Sequence, residues 1–285
     1  MLQKKIDRAA EFIQRHGHLL RCPKCHDESI EIKGYSITCS QGHVYDLSKK
    51  GNLYLLDKKI DTEYNRQMLI HRQKMIETGM YRPMLEKIAN ILKEDDSDYL
   101  LDAGCGEGSF LNQLDKLEVP GVKIGCDISK EGIELATGHE MSALWLVSDL
   151  TNLPVASHCL THVLNIFSPS HYGEFERVLQ RGGKVIKVIP EAGYLKELRE
   201  LFLGEKNKSS YSNQKVYAHF EEAMTTVHKE RITYNFNIPK ERYEDFLSMS
   251  PLSWQATDEA KKRAILHPIE EVTVDVLLLS GVFRN

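Results

Sequence analysis

The spacing of apolar residues changes character along the chain and divides it into four stretches. Residues 1–20, MLQKKIDRAAEFIQRHGHLL, scatter charges among apolar positions at helical intervals. This predicts a short amphipathic helix and not a secretory leader. In residues 21–57, SIEIKGYSITC alternates β-formers about a Lys-Gly turn, the signature of a hairpin with a cysteine at each end. Residues 58–80 return to helical spacing among charges and read as a linker helix. YRPMLEKIANILKED then opens the stretch 81–285 as a helix that tolerates Pro83 in its first turn.

From Tyr99 the period shortens. YLLDAGC, VKIGCDIS, ALWLVSDL, HVLNIFSP and KVIKVIP are short apolar runs, and the first two are followed by the helix-like SFLNQLDKL and KEGIELATGH. Strand–helix alternation predicts an α/β domain with a parallel sheet covered on both faces. Two further strand-like runs, ERITYNFNI and EVTVDVLLLSGVF, lie in the tail with helical segments between them.

At 41% hydrophobic and 27% charged, the composition adds only that the chain is an ordinary globular protein. No apolar run approaches the ~20 residues that a membrane helix needs, so no membrane partner and a cytoplasmic location are expected. Charge changes the picture more. The net of −4 hides an asymmetry: through Lys93 there are 17 basic and 11 acidic side chains, and beyond it 20 and 30. A basic N-terminal part points to a polyanionic partner there.

Six cysteines are present, three of them within the first forty residues. Cys22-x-x-Cys25 and Cys39-x-x-x-His43 offer four ligands on two short knuckles, a pattern that suits a closed, tetrahedral structural zinc ion. A unit of about forty residues buries little core, so the metal is expected to supply much of its folding energy. Cys105, Cys126 and Cys159 stand alone and read as small buried hydrophobes.

LDAGCGEGS carries the enzymatic signal. Gly104, Gly106 and Gly108 sit between a strand and a helix, where a ligand must approach the backbone closely. The spacing is G-x-G-x-G, not the G-x-G-x-x-G of dinucleotide sites, and Asp102 would repel a pyrophosphate. It suits the cationic end of S-adenosylmethionine. Asp127, with Ile128 beside it, ends the next strand and can accept from ribose hydroxyls; Asp149 ends the third, with Leu150 placed to pack on adenine. This set resembles the class I S-adenosylmethionine-dependent methyltransferases, whose Rossmann-like fold is a seven-stranded sheet with one antiparallel edge strand.

With the zinc knuckles in front, nearly the whole chain after its first twenty residues resembles the RlmA family of 23S ribosomal RNA guanine-N1 methyltransferases; the N-terminal helix is extra. HVYDLSKKGNLYLL, RQKMIETGMYRPMLEKI and LSMSPLSWQAT carry that likeness beyond the shared methyltransferase loop. The resemblance implies that Tyr81, Gly106, Glu107 and a residue in PEAGYLKEL, here Tyr194, contact the cofactor. It also implies a 23S rRNA hairpin as partner, and it allows a homodimer and an influence on macrolide-type antibiotic response. FSPSHY stands where relatives carry a different motif. Lys49, Lys50, Lys58 and Lys59 are the expected phosphate contacts of the zinc unit.

A guanine N1 carries a proton and faces its Watson–Crick partner, so the base must be unpaired or extruded. Asn165 and His171 are candidates to hold or deprotonate it, and Trp254, Phe167 and Tyr172 to stack on it, against capping or core roles for each. No general base is assigned. A small-molecule methyltransferase, which would have no evident use for a basic zinc unit, and a non-catalytic zinc RNA-binding protein are the rival readings.

Overall fold

The computed structural model describes residues 3–58, 60, 65–95, 97–204 and 212–284. Helix α1 (Lys5–His16) buries Ala9, Ala10, Phe12 and Ile13, the apolar stripe of its sequence. Three short strands, β1 (Ile30–Lys33), β2 (Ser36–Cys39) and β3 (Val44–Asp46), then form a small antiparallel sheet. Its hairpin pairs Ile30 with Cys39 and Lys33 with Ser36, so the Lys-Gly turn expected from the sequence closes it.

Strand β4 (Asn52–Tyr54) departs from the sequence reading. It leaves the zinc-bearing stretch and pairs in parallel with β7 (Ala143–Val147), Asn52 opposite Trp145 and Tyr54 opposite Val147. The physical reason is that β7 would otherwise present an unpaired edge, and the apolar Leu53, fully buried, can cover it. The main sheet therefore extends across the division expected at residue 57.

The linker and the following stretch become α2 (Arg66–Glu77), capped by the Asn65 side chain on Met68 N at 2.9 Å, and α3 (Arg82–Glu94), with Pro83 in its first turn. Then come β5 (Tyr99–Ala103), α4 (Ser109–Lys116), β6 (Val122–Asp127), α5 (Lys130–Ala136), β7 and β8 (Leu160–Ile166). After α6 (Tyr172–Val178) and β9 (Leu179–Pro190), α7 (Lys196–Leu203) and α8 (Gln214–Ala223) lead to β10 (Met224–Asn237). The tail is α9 (Tyr243–Ser248), α10 (Leu252–Gln255), α11 (Asp258–Leu266) and β11 (Glu271–Phe283).

The sheet order is β10-β11-β9-β8-β5-β6-β7-β4. This is the doubly wound arrangement expected, with two corrections. The sheet has eight strands and not seven, because β4 joins it, and the antiparallel strand β11 lies one place in from the edge. The long β10 covers β11, pairing from Met224–Phe283 to Asn237–Glu271, and so becomes the edge itself.

Alternation along the strands sends side chains to two separate cores. Leu100, Leu164, Ile186, Val188, Val274 and Val276 pack under α2, α3 and α4; Leu101, Val163, Val185, Leu277 and Leu279 pack on the other side with α1 and α6. A sheet buried on both faces needs apolar strands throughout, and every residue of β8 is buried. Among the described residues, no helix is long and apolar enough to cross a membrane.

Candidate active site

The carboxyl ends of β5, β6 and β7 converge on one crevice, the usual ligand position in such sheets. A cavity of about 330 Å³ there is lined by Gly104, Gly106, Asp127, Ile128, Asp149 and Leu150 among others. Six of the residues named from the sequence are thereby brought together. The loop from Gly104 to Gly108 is fastened to β6 by Gly104 N and Cys105 N, which donate to Cys126 O at 2.9 and 3.0 Å. Asp127 braces it from below: its Oδ2 accepts Gly106 N at 2.8 Å and its Oδ1 accepts Ser129 N at 2.7 Å.

The glycines do different things. A Cβ on Gly108 would come within 2.7 Å of the Trp145 ring, so this glycine permits helix–sheet packing. A Cβ on Gly106 would meet nothing within 4 Å, so its face is open toward the cavity. Gly106 also has φ +55°, in the left-handed region.

Asp102 and Glu107 lie behind the cavity wall, 1% and 2% exposed. Asp102 Oδ2 has no hydrogen-bond partner among the described residues. Burial, reinforced by the charges of Asp127 and Glu107, pushes its carboxyl up to about 8. Burial raises Glu107 as well, against the opposing pull of Arg72. A buried acid with an unanswered oxygen beside an open glycine face fits the cationic end of S-adenosylmethionine.

Tyr81 and Tyr194 line a second, adjoining cleft of about 430 Å³. Their hydroxyls meet at 2.6 Å. Both are surrounded by rings: Tyr81 stands edge-on to Phe110 at 5.4 Å, and Phe167 lies 5.2 Å from Tyr194. Arg72, Phe167 and Ser168 line both cavities and so mark their junction. Phe167 has φ +55°, an uncommon conformation for a bulky side chain, and it sits where the two cavities meet. The loop bearing Tyr194 is anchored by Asp275, whose Oδ2 accepts Gly193 N at 2.9 Å while both its oxygens accept from Arg231.

Several candidates from the sequence resolve into supporting parts. Asn165 is fully buried and fully engaged: Nδ2 donates to Ser168 Oγ at 2.6 Å and Pro169 O at 2.8 Å, and Oδ1 accepts from Ser170 and Lys187. His171 is exposed and caps α6, accepting Glu174 N at 3.2 Å. Tyr172 packs among Phe175, His219 and Phe220. Trp254 is 41% exposed on α10, next to Pro251 and Leu252 of the second cleft. Arg72 and Lys187 were not singled out from the sequence. For Lys187 the signal was there: a lysine interrupting the otherwise apolar run VIKVIP.

The metal centre forms as its spacing predicts. Cys22, Cys25, Cys39 and His43 hold their ligand atoms within 4.8 Å of one another. His43 Nδ1 lies 3.6, 3.3 and 3.4 Å from the sulfurs of Cys22, Cys25 and Cys39, and Cys25 and Cys39 are 3.6 Å apart. A tetrahedron with standard zinc–sulfur and zinc–nitrogen bonds has edges of about 3.6–3.8 Å, so these residues fit a zinc ion. Asp27 ties the knuckles together by accepting Ser29 N at 3.0 Å and Ser40 N at 2.6 Å.

This unit rests on the loop after β7. Arg21, 8% exposed, donates to Asn152 Oδ1 at 2.8 Å and Leu153 O at 3.2 Å, and Asn152 donates back to Pro23 O at 2.8 Å. The same loop begins with Asp149 and Leu150 of the glycine-lined cavity. Of the four lysines expected to meet phosphate, Lys49 and Lys58 are exposed, Lys50 pairs with Glu134 at 2.6 Å, and Lys59 lies outside the described residues.

Comparison with known proteins decides among the readings. The methyltransferase-domain family matches residues 101–187. A Bacillus subtilis protein, provisionally named a 23S rRNA (guanine-N1)-methyltransferase, is 32% identical over 273 residues, 93% of this chain and 97% of its own. The chain belongs to the RlmA family of 23S rRNA (guanine-N1)-methyltransferases. A second member, the Streptomyces fradiae 23S rRNA (guanine(748)-N1)-methyltransferase, is 26% identical over 268 residues, 90% of this chain and 94% of its own. The fold is also that of a Haloferax volcanii methyltransferase solved with its Trm112 activator, at TM-score 0.50 and 19% identity over 79% of this chain and 100% of that one. The family is S-adenosylmethionine-dependent, so the Rossmann-like sheet belongs to a methyltransferase and not to a dinucleotide enzyme.

Proposed function

We propose that this chain transfers the methyl group of S-adenosylmethionine to N1 of a guanine in a 23S rRNA hairpin, in the cytoplasm. The observation that carries the reading is the pair of cavities meeting at Phe167 and Ser168, one lined by glycines with Asp127 and Asp149, the other walled by aromatics. The family's relatives are named for this reaction.

The cofactor supplies an electrophilic methyl group bound to a sulfonium. Asp102 and the Gly104–Gly108 turn would hold its aminoacid end, with Glu107 buried behind them; Asp127 would accept from the ribose; Ile128, Asp149 and Leu150 would enclose the adenine. Tyr81 and Tyr194 stand toward the second cleft, where an extruded base can be walled off from water. The chain divides functionally into the helix of residues 1–20, a zinc unit of 21–57 that docks the RNA, a linker of 58–80 and a catalytic domain of 81–285. Exposed Lys49 and Lys58 favour the docking role.

Primer extension on rRNA treated with protein and cofactor tests the reading, because an N1-methyl group stops reverse transcriptase one nucleotide early. One new stop within a large-subunit hairpin is expected. Absence of any stop, with zinc-loaded protein that binds the cofactor, would refute it.

A further inference from the structure

Lys187 stands in the middle of β9 and is 2% exposed, yet it lines both the aromatic cleft and a smaller opening beside it. Strand pairing sets it beside Asn165 at the carboxyl end of β8 and Leu279 of β11. Its Nζ donates to Asn165 Oδ1 at 2.5 Å and to Ser170 Oγ at 2.7 Å. Both partners accept from it. Asn165 presents its amide oxygen, because its nitrogen is given to Ser168 and Pro169, and the Ser170 hydroxyl proton goes to that same oxygen at 2.7 Å. Two N–H bonds therefore satisfy the described surroundings, and a third contact, to Ser168 O, is long at 3.5 Å. No carboxylate among the described residues pairs with this lysine, and its burial draws the ammonium down to about 8.

We propose that Lys187 accepts the N1 proton of the target guanine, and that the cleft of about 430 Å³ which it lines is the receptor for the extruded base. The inference rests on the function proposed above. Such a cleft lies within the usual range for a ligand pocket, and Tyr81, Phe167 and Tyr194 give the base aromatic walls. In the reaction the amine lone pair takes the N1 proton and becomes an ammonium. N1 forms the bond to the methyl carbon, the methyl–sulfur bond breaks, and its electron pair stays on sulfur. The ammonium returns its proton to water when the product leaves. Asn165 and Ser170 are positioning residues: as acceptors they hold both N–H bonds of the neutral amine and leave its lone pair to the base.

Other charged groups border the same space. Arg72 and Arg199 line the cleft, and Lys215 and His219 of α8 line the opening with Tyr172. No carboxylate lines either opening among the described residues, so nothing there offsets the burial that favours the neutral form the reaction needs.

Single-turnover methylation of a hairpin transcript by Lys187→Gln and Lys187→Arg tests this, with cofactor and RNA binding measured in parallel. A general base contributes on the order of 10²–10⁴-fold, so both variants are expected to lose that much rate while retaining both ligands. The wild-type rate is expected to rise with pH and level off above about 8, and lysine Nζ resonances of the cofactor-free protein should show one group titrating there. Lys187→Arg, which keeps the charge and the hydrogen bonds but cannot give up its proton, should lose the inflection. Wild-type rates in Lys187→Arg would overturn the role of the lysine alone. Absence of methylation by the wild-type protein would overturn the function itself and this inference with it. If Lys187→Gln fails to fold, Lys187→Arg and the Nζ titration still decide.

Discussion

The zinc cluster and the cofactor crevice are built from similar material, short loops that aim polar side chains at one point, but they end in opposite states. In the cluster each donor faces the other donors at the separations a tetrahedral ion requires, and backbone amides and Asp27 close the knuckles around them. Behind the crevice Asp102 keeps an oxygen without a partner among the described residues, and Gly106 opens onto the cavity. A structural site is complete within the chain once its ion is present. A cofactor site is left short of partners, and the ligand completes it. The two are joined through Arg21 and Asn152, so the closed site also steadies the loop that carries Asp149.

The largest effect expected is from removing the metal. Structural zinc contributes roughly 10–16 kcal/mol to units of this size, so chelation or Cys22→Ser should unfold β1–β3, seen as lost amide protection in that sheet alone. Cofactor affinity should fall with it, because the loop after β7 loses its Arg21 anchor. Intact protection of β1–β3 without zinc would break the contrast between closed and open sites.

A smaller effect sharpens the other side. The cationic cofactor favours ionised Asp102, whereas the free protein holds that acid protonated below about 8. Binding therefore releases a proton, and affinity should rise by up to about tenfold per pH unit until the free acid ionises. Isothermal titration in buffers of different ionisation enthalpy reads the proton directly. Asp102→Asn should bind more weakly and without this dependence; an unchanged pH profile in that variant would remove Asp102 from the site.

The glycines give the finest comparison. Gly108→Ala drives a methyl into Trp145 and should lower stability by about 1–3 kcal/mol. Gly106→Ala costs about 1–2 kcal/mol in backbone strain, meets no atom, and should act chiefly on cofactor affinity. Thermal melts with and without cofactor separate the two; equal behaviour would mean that both glycines serve packing.

Much of this was legible in the sequence because the relevant spacings are local. Cys22 and Cys25 lie just before the β1–β2 hairpin and Cys39 and His43 at its far end, and the acids at 102, 127 and 149 lie within two residues of the ends of β5, β6 and β7. Contacts made across the fold were not legible. The three residues of β4 are too few to show a period, and only the open edge of β7 gives them a place. The Tyr81–Tyr194 hydroxyl pair joins residues 113 apart. Asn165 and His171 carry the right chemistry for catalysis, but the fold spends one on holding the β8 loop and the other on capping α6. Lys187 interrupts an apolar run in the sequence, but only the sheet places it beside the cleft.

The most direct test of the account is to digest rRNA after reaction with methyl-labelled cofactor and identify the labelled nucleoside by mass spectrometry. The account predicts 1-methylguanosine, about one per large-subunit RNA. Label in any other nucleoside, or in none while the protein binds its cofactor, would contradict it.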